Sequence, residues 1–176
     1  MLWSGYYRGH GHKFQIIVTP DGMIVDVRGP YPGSFSDATL VTDSNLESDL
    51  RSFCKFREYQ QRLLTAFYLY GDPAYAQDRY IQRPFQRANN TPEDEHYNAL
   101  MSSVRVSVEH AIGHITNLFP ALDFTREEKL GLTPIAAKFL VACIFRNMVT
   151  VVRGANQISH YFDCQPPTPA EFFNKR

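Results

Sequence analysis

Cysteine is scarce in this chain. Only Cys54, Cys143 and Cys164 occur. They are odd in number and scattered, which argues against a disulfide scaffold and for reduced thiols in an intracellular protein. Excess charge of either sign is also missing, because 18 basic residues cancel 18 acidic ones. No global field draws the chain to nucleic acid, so any such contact must come from a local basic patch. Long apolar runs are lacking too. The longest, Phe139 to Phe145, falls short of the roughly 20 residues a membrane helix needs. The start is polar and aromatic from Ser4 onward and does not read as a signal peptide. The expectation is a soluble protein with no membrane partner and no internal repeat.

What is present describes a folded chain. A hydrophobic fraction of 44% and an aromatic fraction of 14% over 176 residues support one globular domain with a proper core. After an irregular lead-in, Lys13–Thr19 and Met23–Val27 read as two strands. Pro20-Asp21-Gly22 between them is a hairpin signal in which Asp21 makes the turn. His10 and His12 flank Gly11 and read as loop residues ahead of a metal pair. Gly29-Pro30-Tyr31-Pro32-Gly33-Ser34 reads as a loop, since neither proline nor glycine extends a strand. Ser36 or Asp37 then caps a short helix. Asp37 also lies at the mouth of a sheet, where it can face a site. Asn45–Arg62 has a helical pattern with Leu46, Leu50 and Phe53 or Cys54 on one side, and Arg51, Lys55, Arg57 and Arg62 make it locally basic.

Ala66–Tyr70 reads as a central strand: short, apolar, aromatic and stopped by Gly71. Ligands of open α/β sheets sit beyond the carboxyl ends of strands, which makes Asp72 a candidate functional residue. The competing role for Asp72 is an Asp-Pro turn whose side chain bonds backbone. Tyr80–Phe85 reads as an edge strand because of Pro84, with Arg79, Arg83 and Arg87 as a second basic group. Thr91-Pro92-Glu93-Asp94 starts a helix, with threonine as cap and proline at the first position. This helix is expected to run to Leu118 and to bury Met101, Val104, Val108, Ile112 and Ile115. Glu109 lies beside that stripe, where it is aligned either toward Asp72 or with Arg105 as an i,i+4 pair. His110 and His114 read as a polar flank, since no His-Glu-x-x-His arrangement is present. A last helix from Thr133-Pro134 to near Gly154 is apolar on most sides and is expected to be buried. Thr168-Pro169-Ala170-Glu171 starts one short turn in the tail.

The order Gly33-Ser34-x-x-Asp37, Tyr70-Gly71-Asp72-x-x-Tyr75 and Ser103-Val104-Arg105-x-x-Val108-Glu109-x-x-x-Gly113 resembles the nuclease domain of PIF/Harbinger transposases and their domesticated relatives. The resemblance implies an α/β, RNase H-like fold over residues 1–165, followed by a tail at 166–176. It implies metal-dependent cutting and joining of DNA, with Mg²⁺ or Mn²⁺ as cofactor. It makes Asp72 and Glu109 catalytic members of the DDE set and Asp37 a further metal ligand. A nuclear location, a Myb-like DNA-binding partner and pairing of subunits for strand transfer also follow from it. The family's first catalytic Asp lies in an Asp-Gly-Thr segment on the first strand, and that segment is not found here. The fold is therefore expected to be N-terminally truncated, with little or no cleavage by this chain alone. Two alternatives are a non-catalytic DNA- or protein-binding module and a poorly folding gene fragment.

Overall fold

The computed structural model describes residues 3–4, 8–53, 68–75, 77, 80–85, 90–122 and 134–174. It is a mixed α/β chain of small sheets and helices. Two compact units divide it: residues 1–34 with 106–176, and residues 35–105.

The first unit is built on a hairpin. Strands β1 (Trp3–Ser4) and β2 (Gly9–His10) pair antiparallel, followed by β3 (His12–Val18) and β4 (Ile24–Pro32), also antiparallel. The turn forms as its residue types require. Gly22 has φ +77°, and its N–H donates to the Thr19 carbonyl at 2.8 Å. Asp21 Oδ1 accepts from Met23 N at 3.1 Å and from the Thr19 hydroxyl. β4 continues past the expected end at Val27, because its Gly29-Pro30 segment is accommodated as a bulge. Lys13 faces Tyr31 while Gln15 faces Arg28, so β4 carries an extra residue just where proline cannot donate to the ladder. A side chain at Gly29 (φ +133°) would meet the Lys13 carbonyl at 2.8 Å. Ile17 and Val18 face Asp26 and Ile24, which leaves Val25 as a second extra residue.

The long helix α3 (Pro92–Leu118) ends in this unit, followed by a 3-10 turn (Pro120–Leu122), α4 (Ile135–Arg153), α5 (Gln157–Tyr161) and α6 (Pro169–Phe173). Their core joins Ile24, Ala111, Ile115, Leu122, Phe139, Ala142, Cys143 and Ile158. The phenyl rings of Phe14 and Phe139 stack 4.4 Å apart across it. On α3 the buried residues are Ala111 and Ile115; Val104 and Ile112 are exposed. The stripe is therefore narrower than the sequence pattern promised, because the small Ala111 sits where the helix approaches its neighbours. The last helix also departs from expectation. Ile135, Phe139, Ala142, Cys143, Arg146, Thr150 and Val151 are buried, whereas Leu140, Val141, Ile144, Phe145 and Val152 are exposed. The hairpin, 3-10 turn and α6 pack against only part of its circumference.

By length and composition α4 is apolar enough to cross a membrane, longer than the run the sequence offered. Its Arg146 and Asn147 bind the hairpin, and its buried Thr150 accepts from Asn156 at 3.1 Å, so it serves as a core helix of this unit. Asn147 clasps the backbone of Ile24, accepting from its N at 2.9 Å and donating to its O at 2.7 Å. The Arg146 guanidinium donates to the Gly22 carbonyl. Asn156 donates to the same carbonyl at 3.0 Å and caps α5 in a capping box with Ser159. Gly154 ends α4 in the left-handed region at φ +74°, the usual glycine C-terminus.

In the second unit, Ser36 caps α1 (Asp37–Asp43) by accepting from Thr39 N at 3.1 Å. Asp37 is thus the first helical residue, and its carboxylate lies at the positive end of the helix. Helix α2 (Leu46–Phe53) buries Leu46 and Leu50 as expected. Its expected continuation through Lys55, Arg57 and Arg62 lies outside the described residues, as do Cys54, Ala66, Phe67, Arg79 and Arg87. Strand β5 (Leu69–Tyr70) pairs parallel with β6 (Ile81–Gln82). Thr91 starts α3 with a reciprocal cap: its Oγ1 accepts from Asp94 N at 3.2 Å, and Asp94 accepts from Thr91 N at 2.9 Å.

Candidate functional site

Asp72 follows β5 directly. The parallel ladder brings Leu69 N to the Tyr80 carbonyl at 2.8 Å and Gly71 N to the Gln82 carbonyl at 2.9 Å. The chain then leaves the sheet at Gly71. A Cβ there would lie 2.5 Å from the Tyr75 ring, so glycine is what lets Tyr75 fold back under the turn. Asp72 is exposed, and its Oδ1 accepts from Ala74 N at 2.9 Å. The Asp-Pro turn role is therefore realised. It uses one carboxylate oxygen, and a carboxylate has acceptor capacity for more than one partner.

Asp37 is half-buried at the start of α1, within the same unit as Asp72. Glu109 is exposed on α3, in the part of the helix that belongs to the first unit. All three are carboxylates with solvent access, the hard oxygen donors that Mg²⁺ and Mn²⁺ prefer. In donor chemistry they fit a divalent cation. Among the described residues, no group of three or more His, Cys, Asp and Glu that could hold a metal ion is found. His10 and His12 sit on β2 and β3.

Around the β5–β6 pair lies an aromatic cluster that the sequence reading passed over. Tyr97 of α3 meets Phe85 edge-on at 5.3 Å and Tyr70 at 6.4 Å, and its hydroxyl shares a hydrogen bond with Tyr68. Burial, then that bond and the neighbouring Tyr68 and Tyr70 hydroxyls, push the Tyr97 phenol up to about 12. Burial also raises Tyr70, against the opposing pull of the Arg105 charge. The Tyr70 hydroxyl is buried with no hydrogen-bond partner among the described residues. Asn98 fixes the Phe85 backbone from both sides, accepting from its N at 2.9 Å and donating to its O at 3.2 Å. Arg83 reaches the Tyr75 carbonyl at 3.4 Å. The available signal was the alternation Tyr68-Leu69-Tyr70, which puts two phenols on one face of the strand.

In the first unit, the buried polar groups centre on Arg146, which is 1% exposed. Its Nε and Nη2 lack partners among the described residues. Burial pulls the guanidinium below its ordinary range, with Cys143 and Asp21 opposing. Burial likewise pushes the Cys143 thiol up to about 11, leaving it a poor nucleophile at neutral pH. His114 is lowered by burial first, then by Arg146, His110 and Arg153.

A family model described as DDE superfamily endonuclease matches residues 1–147, which include Asp37, Asp72 and Glu109. No curated protein and no solved structure shows significant similarity.

Proposed function

Since the chain belongs to the DDE superfamily endonucleases, we propose that it is a metal-dependent nuclease domain of the PIF/Harbinger transposase type. In this reading Asp72 and Glu109 are catalytic carboxylates and Asp37 a further ligand to Mg²⁺ or Mn²⁺. The carrying observation is the family match, which spans all three residues in the expected order. Their type supports it, since each is an acidic oxygen donor with access to solvent. A bound divalent metal would supply activation of water and charge stabilisation at the phosphodiester. The chain's own contribution starts with local geometry: Gly71 and the Asp72 turn hold one carboxylate at a strand end, Ser36 fixes the helix that starts at Asp37, and Glu109 lies on α3.

An RNase H-like arrangement over residues 1–165, a tail at 166–176, pairing of subunits, a Myb-like partner and a nuclear location belong to this reading. Impaired cleavage also belongs to this reading.

The test is titration of the folded protein with Mg²⁺ and Mn²⁺, read as a shift in melting temperature and by calorimetry. Asp72→Ala and Glu109→Ala should each weaken the response, and Asp37→Ala should do so to a lesser degree. An identical metal response in all variants and the parent would end the ligand assignment. The non-catalytic alternative predicts DNA binding that is unchanged by metal.

A further inference from the structure

We propose that the exposed apolar stripe of α4 is the surface through which two copies of this chain pair. The idea rests on the nuclease reading for its purpose, the pairing of subunits, and adds the surface that does it.

The observations all lie within the first unit. Val141, Ile144, Phe145 and Val152 are 47%, 52%, 49% and 71% exposed, and Met148 among them is half-buried. Counted from Val141 they stand three, four, seven and eleven positions on. At 3.6 residues per turn all five fall within an arc of about 100°, so they share one face. Ala137 is the one other residue of α4 on that arc, which therefore holds no polar or charged side chain. The buried residues Ile135, Phe139, Ala142, Arg146 and Thr150 lie on the opposite side. Phe145 is also held in advance, its ring tilted against that of Phe119 at 6.3 Å. A half-exposed aromatic in the middle of an apolar face, already ordered by a neighbour, is a good interface anchor.

Two features select a second copy as the occupant. The first is charge. A two-fold contact sets the same patch against itself; a charged patch would oppose this, and an uncharged one does not. Lys138 and Arg153, the exposed cations of α4, lie off the arc at its two ends, where long side chains keep their charge in water. An acidic partner would find no complementary charge beside Phe145. The second feature is size. The stripe with Leu140 at its edge exposes on the order of 500 Å², so a symmetric contact removes about 1,000 Å² in all, the size at which specific interfaces begin.

The experiment is sedimentation velocity of the full chain over a micromolar concentration series, in EDTA and without DNA. The chain should sediment as a dimer at the upper end, and its melting temperature should rise with concentration. Ile144→Glu places a charge from each copy inside the contact and should raise the dimer Kd at least tenfold. Val141→Glu should do the same one turn away. Both positions are about half-exposed in a single copy, so each variant should keep the parent's circular dichroism. Mixing Ile144→Glu with Ile144→Lys should restore much of the dimer, which a purely structural role for Ile144 would not. A parent that stays monomeric, glutamate variants that dimerise like the parent, or a mixture no more associated than Ile144→Glu alone would each overturn the interface. A monomeric parent that binds anionic phospholipid vesicles would overturn it too, and assign the stripe to a membrane surface. Because metal is withheld, the outcome is independent of Asp72 and Glu109: a monomer leaves the metal titration standing, and a failed titration leaves the dimer standing.

Discussion

At the scale of single residues, the hairpin turn carries the sharpest constraints. Gly22 holds φ +77°, and a Cβ there would lie 2.2 Å from Asn156 Oδ1. Gly22→Ala is therefore doubly penalised, by backbone strain and by collision with the side chain that caps α5. A loss of about 2 kcal/mol or more is expected in urea unfolding. Arg146 presents the opposite case. Its carbonyl partner at Gly22 also receives a bond from Asn156, while two of its own donor atoms have no partner among the described residues. Asp21 acts on this buried charge but forms no ion pair with it, and a buried charge so placed is costly, so Arg146→Met should be neutral or stabilising in a thermal melt. A loss above about 2 kcal/mol would mean the guanidinium is better satisfied than this geometry allows. Asp21 and Gly22 were legible from residue chemistry alone, because each acts on backbone within three positions; the α1 cap was read as Ser36 or Asp37, and the structure assigns it to Ser36. Arg146 was not legible, since its carbonyl partner Gly22 lies 124 residues away in sequence and no local pattern reveals it.

At the scale of elements, the α3 start shows how far local rules reach. Thr91 and Asp94 bond reciprocally, and Thr91→Ala should cost about 1 kcal/mol, visible as lost helicity in circular dichroism and a lower melting temperature. The helix ends, the α4 terminus at Gly154 and the short α6 with its Thr168–Glu171 capping box followed from sequence for the same reason. The burial of whole helix faces did not. Val104 and Ile112 have the right spacing and yet are exposed, and α4 leaves five large apolar residues in solvent, because periodicity gives a face its position but not its partner. Likewise β4 runs through Gly29-Pro30 as a bulge. Proline excludes a ladder donor, not the strand, when the register shifts to accommodate it.

At the scale of the whole molecule, pH dependence separates the two units. His114 has its folded affinity for protons lowered by burial and by Arg146, His110 and Arg153. As pH falls through about 6.5 the unfolded chain takes up that proton first, so stability should decline below that point. His114→Gln should flatten this limb in melts at graded pH. Tyr97 works at the other end. Its phenol, raised to about 12, stays protonated in the fold while an unfolded tyrosine ionises near 10. Stability should fall as pH rises from about 10 toward 12, and Tyr97→Phe should reduce the loss.

By itself the sequence determined the hairpin turn, the Thr91 and Thr168 helix starts, the ends of α3 and α4 and the family order of Asp37, Asp72 and Glu109, since these depend on residues near one another or on a fixed succession along the chain; α5 and its Asn156 cap it did not. Only the tertiary structure decided which helix faces are covered, that Arg146 is sealed beneath the hairpin, and that Tyr97 gathers Tyr70 and Phe85 into one cluster. Such contacts join residues remote in sequence, and their energy comes from close packing and loss of water, which no local pattern encodes.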